Sequence, residues 1–442
     1  MKNVKLLMKK LDLRRSIEKL KVKNYFLGGV LLIVWDTLKA LKFNFKKKIS
    51  KFQIRLKYGV SKLFFNRLCW INPKEIQYCV ESDFDKNEDF LHIIDGNWDN
   101  SNRLFEDLDI FQSFKQRYAY NKNWDETEFY HRVLNQISRG IKKWGCETKE
   151  GLDNRVRTID ALYSQIKKNG FKSRKELNIS TSWFGKIAKP EYSDEIALMV
   201  GRKGELLFFD GRHRLSIAKL LKIPEIPIKI IARHKKWMAF RYNFLLYSKN
   251  ELKKKFSHSL KHPDLQDIPI HEEDSIFKII KKNLTLTCGS LLDLSAKLGY
   301  ICHRFDTKGY NCLAFEKNPH NLYFLKMLKI IEKWNFKIIE PKLLEKNMYK
   351  NLDVDIILIL DIFGDYFTNK ESNLLLIKIL SKFKPKELLI GINIPNNFQK
   401  IGYRKNLTSK DILNLITETS NLNTQHFIGE ANDGTLFYKF TA

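Results

Sequence analysis

The stretch Leu291-Leu-Asp-Leu-Ser-Ala-Lys-Leu-Gly-Tyr300 decides the fold of the C-terminal part of this chain. Residues 290–294 form a short apolar run of the kind found in a buried parallel strand, and residues 295–299 follow as a loop. A helix is predicted from Tyr300 to Lys308, and Asn311-Cys-Leu-Ala-Phe-Glu316 is predicted to be a second strand that ends in an acid. A strand, a loop at a helix start and an acid about twenty residues later is the layout that binds a nucleoside.

The residues that follow continue the alternation of strands and helices. Asp355-Ile-Ile-Leu-Ile-Leu-Asp361 is nearly all apolar, as expected of a central parallel strand, and Glu387-Leu-Leu-Ile-Gly-Ile-Asn393 is the next strand. Residues 425–428 and 435–440 are predicted to form a closing hairpin. The pattern predicts an α/β fold, with a Rossmann-type doubly wound sheet over residues 287–442.

These motifs resemble those of the class I S-adenosylmethionine (SAM)-dependent methyltransferases. The quoted stretch is similar to the first motif of that family, and Ala314-Phe-Glu-Lys-Asn-Pro319 is similar to the second. The resemblance implies that Asp293, the backbone from Ser295 to Gly299 and Glu316 contact SAM. It also implies that residues 361–363 lie beside the methionine or the methyl acceptor.

Two residues of the first motif depart from the family pattern, and two acids are candidates for proton transfer. Ser295 stands where glycine is usual, and Lys297 occupies a position that is often small or Asn. Positioning and desolvation would carry much of the catalysis, because the sulfonium leaving group needs little acid help. Asp361 or Asp365 would be the catalytic residue that accepts the proton of the acceptor.

A second motif lies in the middle of the chain, between a predicted strand and a predicted helix. The strands are expected at 196–200 and 205–209, and Asp210-Gly-Arg-His-Arg214 opens the helix. Gly211 permits a close backbone approach, and the helix start offers unpaired N–H groups to an anion. Arg212, His213 and Arg214 add donors that match phosphate oxygens. The alternative is structural: Arg214 pairs with Asp210, and His213 caps the turn.

Residues 155–237 resemble the ParB/sulfiredoxin superfamily. Phe209-Asp-Gly-Arg-His-Arg-Leu-Ser-Ile-Ala218 is similar to its phosphate-binding signature. The resemblance implies that Gly211, His213 and Arg214 bind the phosphates of ATP, ADP or CTP, with magnesium as a companion ion. Sulfiredoxins carry a reactive cysteine where Arg212 stands, so sulfinic-acid reduction is not expected. Asp210 is the candidate base if the module is a small-molecule kinase.

Charge and cysteine content narrow the class of protein further. The 442 residues carry a formal net charge of +29, which favours nucleotides, nucleic acid or anionic lipid as partners. Residues 1–60 are the most basic part and are expected to be helical, and they include an apolar run at 25–35 that is too short for a confident membrane span. The six cysteines lack zinc-finger spacing, so free thiols are expected, with no metal site.

These patterns divide the chain into a basic N-terminal region (1–65), a mixed region of unknown role (66–150), a ParB/sulfiredoxin-like α+β module (151–237), a helical connector (238–286) and the methyltransferase-like domain (287–442). We expect a cytoplasmic protein, with peripheral membrane or polyanion contacts through residues 1–60. The leading hypothesis is a SAM-dependent methyltransferase fused to a nucleotide-binding module, with an unknown acceptor. The alternatives are a ParB/sulfiredoxin-type kinase or NTPase with a non-catalytic Rossmann domain, and a nucleotide-switched DNA-binding protein.

Overall fold

The computed structural model describes residues 49, 51–60, 64, 67–80, 93–141, 146–173, 176, 195–250, 260–268, 275–341, 353–395 and 407–442. The chain divides into two compact units, Met1–Tyr242 and Asn243–Ala442. The apolar run at 25–35 and most of the basic N-terminal region lie outside the described residues. Within the described part of the chain, no helix is long and apolar enough to cross a membrane.

The first unit combines short strands with several helices. Its strands are β1 (Leu68–Ile71), β2 (Ile93–Ile94), β3 (Ile196–Val200), β4 (Leu206–Asp210) and β5 (Ile226–His234). Its helices are α1 (Asp109–Ala119), α2 (Glu128–Ser138), α3 (Lys149–Asn169), α4 (Arg212–Leu220) and the beginning of α5 (Lys235–Asn250). Thr148 caps the start of α3 by accepting a hydrogen bond from Gly151 N, and Gly170 ends the helix with a φ of 75°.

The strands of the first unit form a five-stranded sheet in the order β1-β5-β3-β4, with β2 beside β5. Strands β3 and β4 form an antiparallel hairpin, and β5 returns parallel to β3 after helix α4. This confirms the strand-turn-strand-helix-strand order predicted around residues 196–231. Strand β1 comes from the region that the sequence left unclassed, and it pairs antiparallel with β5. The likeness to the ParB/sulfiredoxin module stays a prediction.

The second unit alternates strands and helices along the chain. Its strands are β6 (Gly289–Asp293), β7 (Tyr310–Phe315), β8 (Lys337–Ile339), β9 (Ile356–Ile359), β10 (Glu387–Ile392), β11 (Thr424–Glu430) and β12 (Leu436–Thr441). Its helices are α6 (Ser275–Asn283), α7 (Tyr300–Asp306), α8 (Pro319–Ile331), α9 (Ile362–Tyr366), α10 (Lys370–Lys382) and α11 (Ser409–Ser420), together with the end of α5.

These strands form a seven-stranded sheet in the order β11-β12-β10-β9-β6-β7-β8. The five neighbouring strands β8, β7, β6, β9 and β10 run parallel to one another. Strand β12 is antiparallel to both β10 and β11. The chain leaves β6 toward β7 and β8, and later returns on the other side of β6 to form β9 and β10. The sheet is therefore doubly wound, which confirms the Rossmann-type fold predicted for residues 287–442.

The central strands of this sheet are buried on both faces. Every residue of β9 is buried, and β10 is buried from Glu387 to Ile392. Glu387 is the acidic exception, and the Lys439 ammonium lies 2.9 Å from its carboxylate. Parallel strands are buried on both faces because helices cover the sheet on each side. The polar residues therefore lie in the loops that follow the carboxyl ends of the strands.

Candidate ligand-binding crevice

Asp293 is the last residue of β6 and lies at the point where the order of the sheet reverses. Its side chain is buried, and Oδ1 accepts a hydrogen bond from Ser295 N at 3.0 Å. The Cys302 thiol approaches Oδ2 at 3.7 Å. The pKa of Asp293 is raised to about 7, chiefly by burial and in smaller part by the nearby Glu316 carboxylate. The structure thus places this sequence-predicted residue at the carboxyl edge of the sheet, where doubly wound folds bind ligands.

The loop after Asp293 folds into a tight turn that ends at Gly299. Gly299 N donates to Ala296 O at 2.7 Å, and Gly299 caps helix α7 with a φ of 85°. A Cβ at this position would lie 2.5 Å from Leu325 Cδ1 and 2.7 Å from Phe336 Cζ. Glycine is required here for both backbone conformation and space, so the predicted strand-loop-helix connection is confirmed.

Glu316 follows β7, the neighbouring strand, and its carboxylate is buried. Oε1 accepts a hydrogen bond from Asn318 N at 2.7 Å, and Oε2 accepts one from Asn321 Nδ2 at 3.3 Å. The backbone N–H of Lys297 also donates to this carboxylate. The pKa of Glu316 is raised to about 7, because the effect of burial exceeds the opposing effect of these donors. The acid therefore lies beside the loop of β6, as the nucleoside layout predicts.

Lys297 links this loop to the acid that follows β9. Its Nζ lies 2.7 Å from Asp361 Oδ2, and its φ of 48° is in the left-handed region. Asp361 Oδ1 also accepts a hydrogen bond from Gly364 N at 3.2 Å, which caps helix α9. The carboxylates of Asp293, Glu316 and Asp361 thus converge on one loop, although they come from three different strands.

Asp365, the second predicted proton acceptor, lies within α9 and is half-buried. Burial raises its pKa, and the Lys297 ammonium lowers it. The Lys317 ammonium donates to the backbone carbonyl of Asp365 and, at 2.7 Å, to Ser372 Oγ. The structure therefore brings Asp361 and Asp365 to the same side of the crevice as Lys297.

The sequence did not identify two side chains that support Glu316. Asn321 donates to Glu316 and accepts a hydrogen bond at 2.6 Å from the Tyr247 hydroxyl. The rings of Tyr247 and Phe324 contact each other at a tilt of 43°, with centroids 4.9 Å apart, beside a cavity of about 520 Å³. The cavity is lined by Asn243, Leu246, Tyr247, Pro319, His320, Tyr323 and Phe324. The Asn-Pro start of α8 signalled the cap at Asn318, whereas no local signal identifies a partner as distant as Tyr247.

The predicted phosphate-binding residues of the first unit lie at the end of β4 and the start of α4. Asp210 ends β4, and Gly211 caps α4 with a φ of 95°. A Cβ on Gly211 would lie 3.0 Å from Ile196 Cα, so close packing against β3 also requires glycine here. The predicted turn from strand into helix is present.

The cations of this motif contact other groups of the first unit. Arg214 forms an ion pair with Glu195 at 2.9 Å and donates to Lys172 O at 2.7 Å. The structural alternative expected a pair with Asp210, whereas the ion pair seen here is with Glu195. The guanidinium also lies 4.6 Å from the centre of the Phe171 ring.

Burial lowers the pKa of the other two basic side chains of this motif, His213 and Arg212. The His213 ring stacks on Phe114 at 5.8 Å, and its pKa is lowered to about 3, chiefly by burial and in smaller part by Arg155 and Arg212. His213 is therefore neutral at physiological pH. Burial also lowers the pKa of Arg212, and Asp210 raises it. Phosphate binding by residues 210–214 stays a prediction.

Comparison with known proteins adds a likeness of fold. No protein-family model and no curated protein sequence matches the chain. The methyltransferase domain of bacterial CtHen1 is 15% identical with a TM-score of 0.29, and the match covers 38% of this chain and 96% of that one. A TehB-like SAM-dependent methyltransferase from Corynebacterium glutamicum is 13% identical with a TM-score of 0.27, over 37% and 85% of the two chains.

A third solved structure is that of the bifunctional kinase-methyltransferase WbdD. It is 14% identical to this chain with a TM-score of 0.33, and the match covers 45% of this chain and 46% of WbdD. The chain thus spans less than half the length of that protein. At these low TM-scores the functional argument rests on the residues of the crevice.

Proposed function

We propose that the second unit binds SAM and transfers its methyl group to an acceptor nucleophile. The observation that carries the proposal is the convergence of Asp293, Glu316 and Asp361 on the loop that ends at Gly299. These acids follow β6, β7 and β9, and the order of the sheet reverses at β6. Ligands of doubly wound sheets bind outside the carboxyl ends of the strands at this reversal.

The buried carboxylate of Glu316 fits the two hydroxyl groups of a ribose. It already lies among N–H donors from Asn318, Asn321 and Lys297, which fix its orientation. A buried carboxylate oriented in this way accepts further hydrogen bonds at little entropic cost. Gly299 lets the adjacent turn adopt a positive φ and pack against Leu325 and Phe336, which fixes the backbone of the loop beside Glu316.

The acids after β9 would handle the proton of the acceptor. SAM, when bound, supplies an electrophilic methyl group on a sulfonium that leaves as a neutral thioether. Asp365 is the better base of the two candidates, because burial raises its pKa while Asp361 is held by Lys297 and Gly364. Tyr366 OH donates to Leu294 O at 2.8 Å and so holds α9 against the loop.

Calorimetry of the full chain with SAM and with its demethylated product S-adenosylhomocysteine (SAH) tests this proposal. Glu316→Ala should weaken binding by about 1–3 kcal/mol, since the ribose hydroxyls would lose their acceptor. Glu418→Ala on the exposed face of α11 is the matched control and should leave affinity unchanged. If neither compound binds the intact protein at millimolar concentration, the proposal is wrong.

A second proposal is that residues 210–214 of the first unit bind a nucleotide phosphate. It rests on helix α4, which begins after Gly211 without a side-chain cap among the described residues. A phosphate would have to share Arg214 with Glu195, and for this reason we rank it second. Titration with ATP, ADP and CTP in the presence of Mg²⁺ tests it, and the absence of binding by all three would refute it.

A further inference from the structure

Lys317 follows Glu316 after β7 and extends to the helices that follow β9. Its ammonium donates to the backbone carbonyl of Asp365 and, at 2.7 Å, to Ser372 Oγ. Asp365 lies in α9, and Ser372 lies in the first turn of α10, so one side chain holds both helices. Strand β6 lies between β7 and β9, and this contact therefore joins the loops on either side of β6.

The Lys317 ammonium also contacts the ring of Tyr366, whose centre lies 4.8 Å away. Tyr366 is fully buried, and its hydroxyl donates to Leu294 O at 2.8 Å. Burial lowers the pKa of Lys317, while the carboxylates of Asp365 and Glu316 act in the opposite direction. The ammonium therefore interacts with the acids on both sides of β6, at a place where its neighbours are themselves fixed.

The carboxylate of Asp365 is held less directly than its backbone. Its Oδ2 atom is buried and accepts no hydrogen bond from the described residues. Burial raises the pKa of Asp365, and the nearby Ser295 hydroxyl opposes this effect without meeting the geometry of a hydrogen bond. The position of the backbone of Asp365, which Lys317 binds, therefore determines where this carboxylate lies.

Two adjacent residues thus contact the two sides of the proposed crevice. Glu316, the acid proposed to bind the ribose, accepts hydrogen bonds from Asn318 and Asn321. Lys317 binds Asp365, the proposed proton acceptor, on the other side of β6. A ligand that immobilises residue 316 also restrains residue 317, and the ammonium of Lys317 passes this restraint to α9 through direct contacts.

We propose that Lys317 is a positioning residue that couples nucleoside binding at Glu316 to the placement of Asp365. The proposal rests on the proposed function of the second unit. In its consequence, a bound nucleoside holds the acceptor side of the crevice more firmly, which favours binding of the cofactor before the acceptor.

Adenosine is the probe that separates the two sides of the crevice. It carries the ribose that Glu316 is proposed to bind, but it lacks the methionine portion that would lie beside residues 361–363. Calorimetry of the full chain gives its affinity, and hydrogen–deuterium exchange is measured for the peptide spanning residues 361–372. We expect saturating adenosine to slow this exchange about fivefold, the lower end of the usual range for coupling between two sites.

Lys317→Met keeps the aliphatic part of the side chain but removes both hydrogen bonds. Adenosine should still bind this variant, but it should no longer slow the exchange of residues 361–372. Ser372→Ala removes one of the two hydrogen bonds and should reduce the effect, and Lys317→Arg should retain part of it. The matched control is Lys326→Met, which removes a similar charge from an exposed ion pair with Glu340 and should change nothing.

The ratio of exchange rates with and without adenosine separates coupling from a merely structural role. If Lys317 only stabilises α9, Lys317→Met would speed the exchange in both states and leave the ratio unchanged, which would overturn the inference. The inference is also wrong if adenosine binds the unmodified protein without slowing this exchange.

The binding data keep the inference distinct from the proposed function. If SAM or SAH binds and adenosine does not, the nucleoside does not act alone, so the inference falls while the proposed function stands. If none of the three compounds binds the unmodified protein at millimolar concentration, the proposed function and the inference both fall.

Discussion

Gly211 in the first unit and Gly299 in the second each precede a helix that follows a strand of the sheet. Each follows a strand, caps a helix with a positive φ, and is packed so closely that a Cβ would meet neighbouring atoms. The charges around them are opposite. Near Gly211, Arg214 is already paired with Glu195, and His213 is neutral. The same backbone geometry therefore occurs with very different surrounding charges.

The acids around Gly299 have a different balance of partners. Asp293, Glu316, Asp361 and Asp365 gather around the single loop cation Lys297. In residues 210–214, Arg214 is thus paired within the first unit, while the loop that ends at Gly299 is surrounded by more acids than cations. The glycine at each helix start therefore reflects close packing and backbone conformation, while the neighbouring charges differ between the two units.

The largest expected effect comes from filling the space at Gly299. Gly299→Ala would place a Cβ against Leu325 and Phe336 in a left-handed backbone conformation. We expect a loss of about 2–4 kcal/mol in the free energy of unfolding, from overpacking and backbone strain together. Urea unfolding of the full chain measures it.

Gly309→Ala is the control for the turn at Gly299. Gly309 has a φ of 91°, but a Cβ there would meet nothing within 4 Å. This variant should lose only about 1–2 kcal/mol, the cost of the backbone conformation. Equal losses in the two variants would show that close packing at Gly299 matters little.

Removing the guanidinium of Arg214 tests whether this cation of residues 210–214 serves mainly to neutralise Glu195. The side chains of Arg214 and Glu195 are only 16% and 8% exposed, so Arg214→Ala leaves a largely buried carboxylate without its cation. We expect a loss of about 2–3 kcal/mol in stability. Lys235→Ala, in the exposed pair with Asp95, should change stability little.

The nucleotide affinity of the folded Arg214→Ala protein decides between the two interpretations of this motif. Internal pairing predicts a lower melting temperature and an unchanged affinity for any nucleotide that binds. A marked loss of affinity without a loss of stability would instead show that Arg214 serves a phosphate.

The smallest expected effect is a pH dependence of stability that arises from the acids near Gly299. The pKa values of Asp293 and Glu316 in the folded protein are raised to about 7, above their values in an unfolded chain of about 4. Their contribution to stability is complete below about pH 4 and is lost as the pH rises through about 7. Glu316→Gln should therefore flatten this fall by about 1–2 kcal/mol.

Hydrogen–deuterium exchange of peptides from the second unit at about pH 5 and about pH 8, corrected for the intrinsic exchange rate, measures this dependence. Asp355 has its pKa lowered to about 2 by Lys386 and Ser290, so it acts only below this range. A flat profile in the unmodified protein would mean that Glu316 is better solvated than its burial indicates.

The sequence predicted the strands and turns of the second unit closely, because short-range patterns determine them. The apolar run predicted at 290–294 is β6 at Gly289–Asp293, and the helix predicted from Tyr300 is α7. The acid after the second strand was identified from its spacing alone, and Glu316 lies beside the loop as predicted.

Contacts between distant residues could not be predicted in this way. Lys297 and Asp361 are 64 positions apart, and Tyr247 and Asn321 are 74 apart. Their meeting depends on the order of strands in the sheet and on helix packing, which no local pattern determines. The partner of Arg214 was missed for a similar reason, since Asp210 is near in sequence while Glu195 precedes β3.

The position of β12 has a consequence for how the second unit is made. This strand follows all the others along the chain, yet it lies between β10 and β11 in the sheet. Strand β11 leaves the ribosome first but has no place to dock until Leu436–Thr441 has been synthesised. During translation the parallel strands can assemble in order, while β11 must wait as an unpaired edge. The seven-stranded sheet of the second unit is therefore complete only after β12 has emerged.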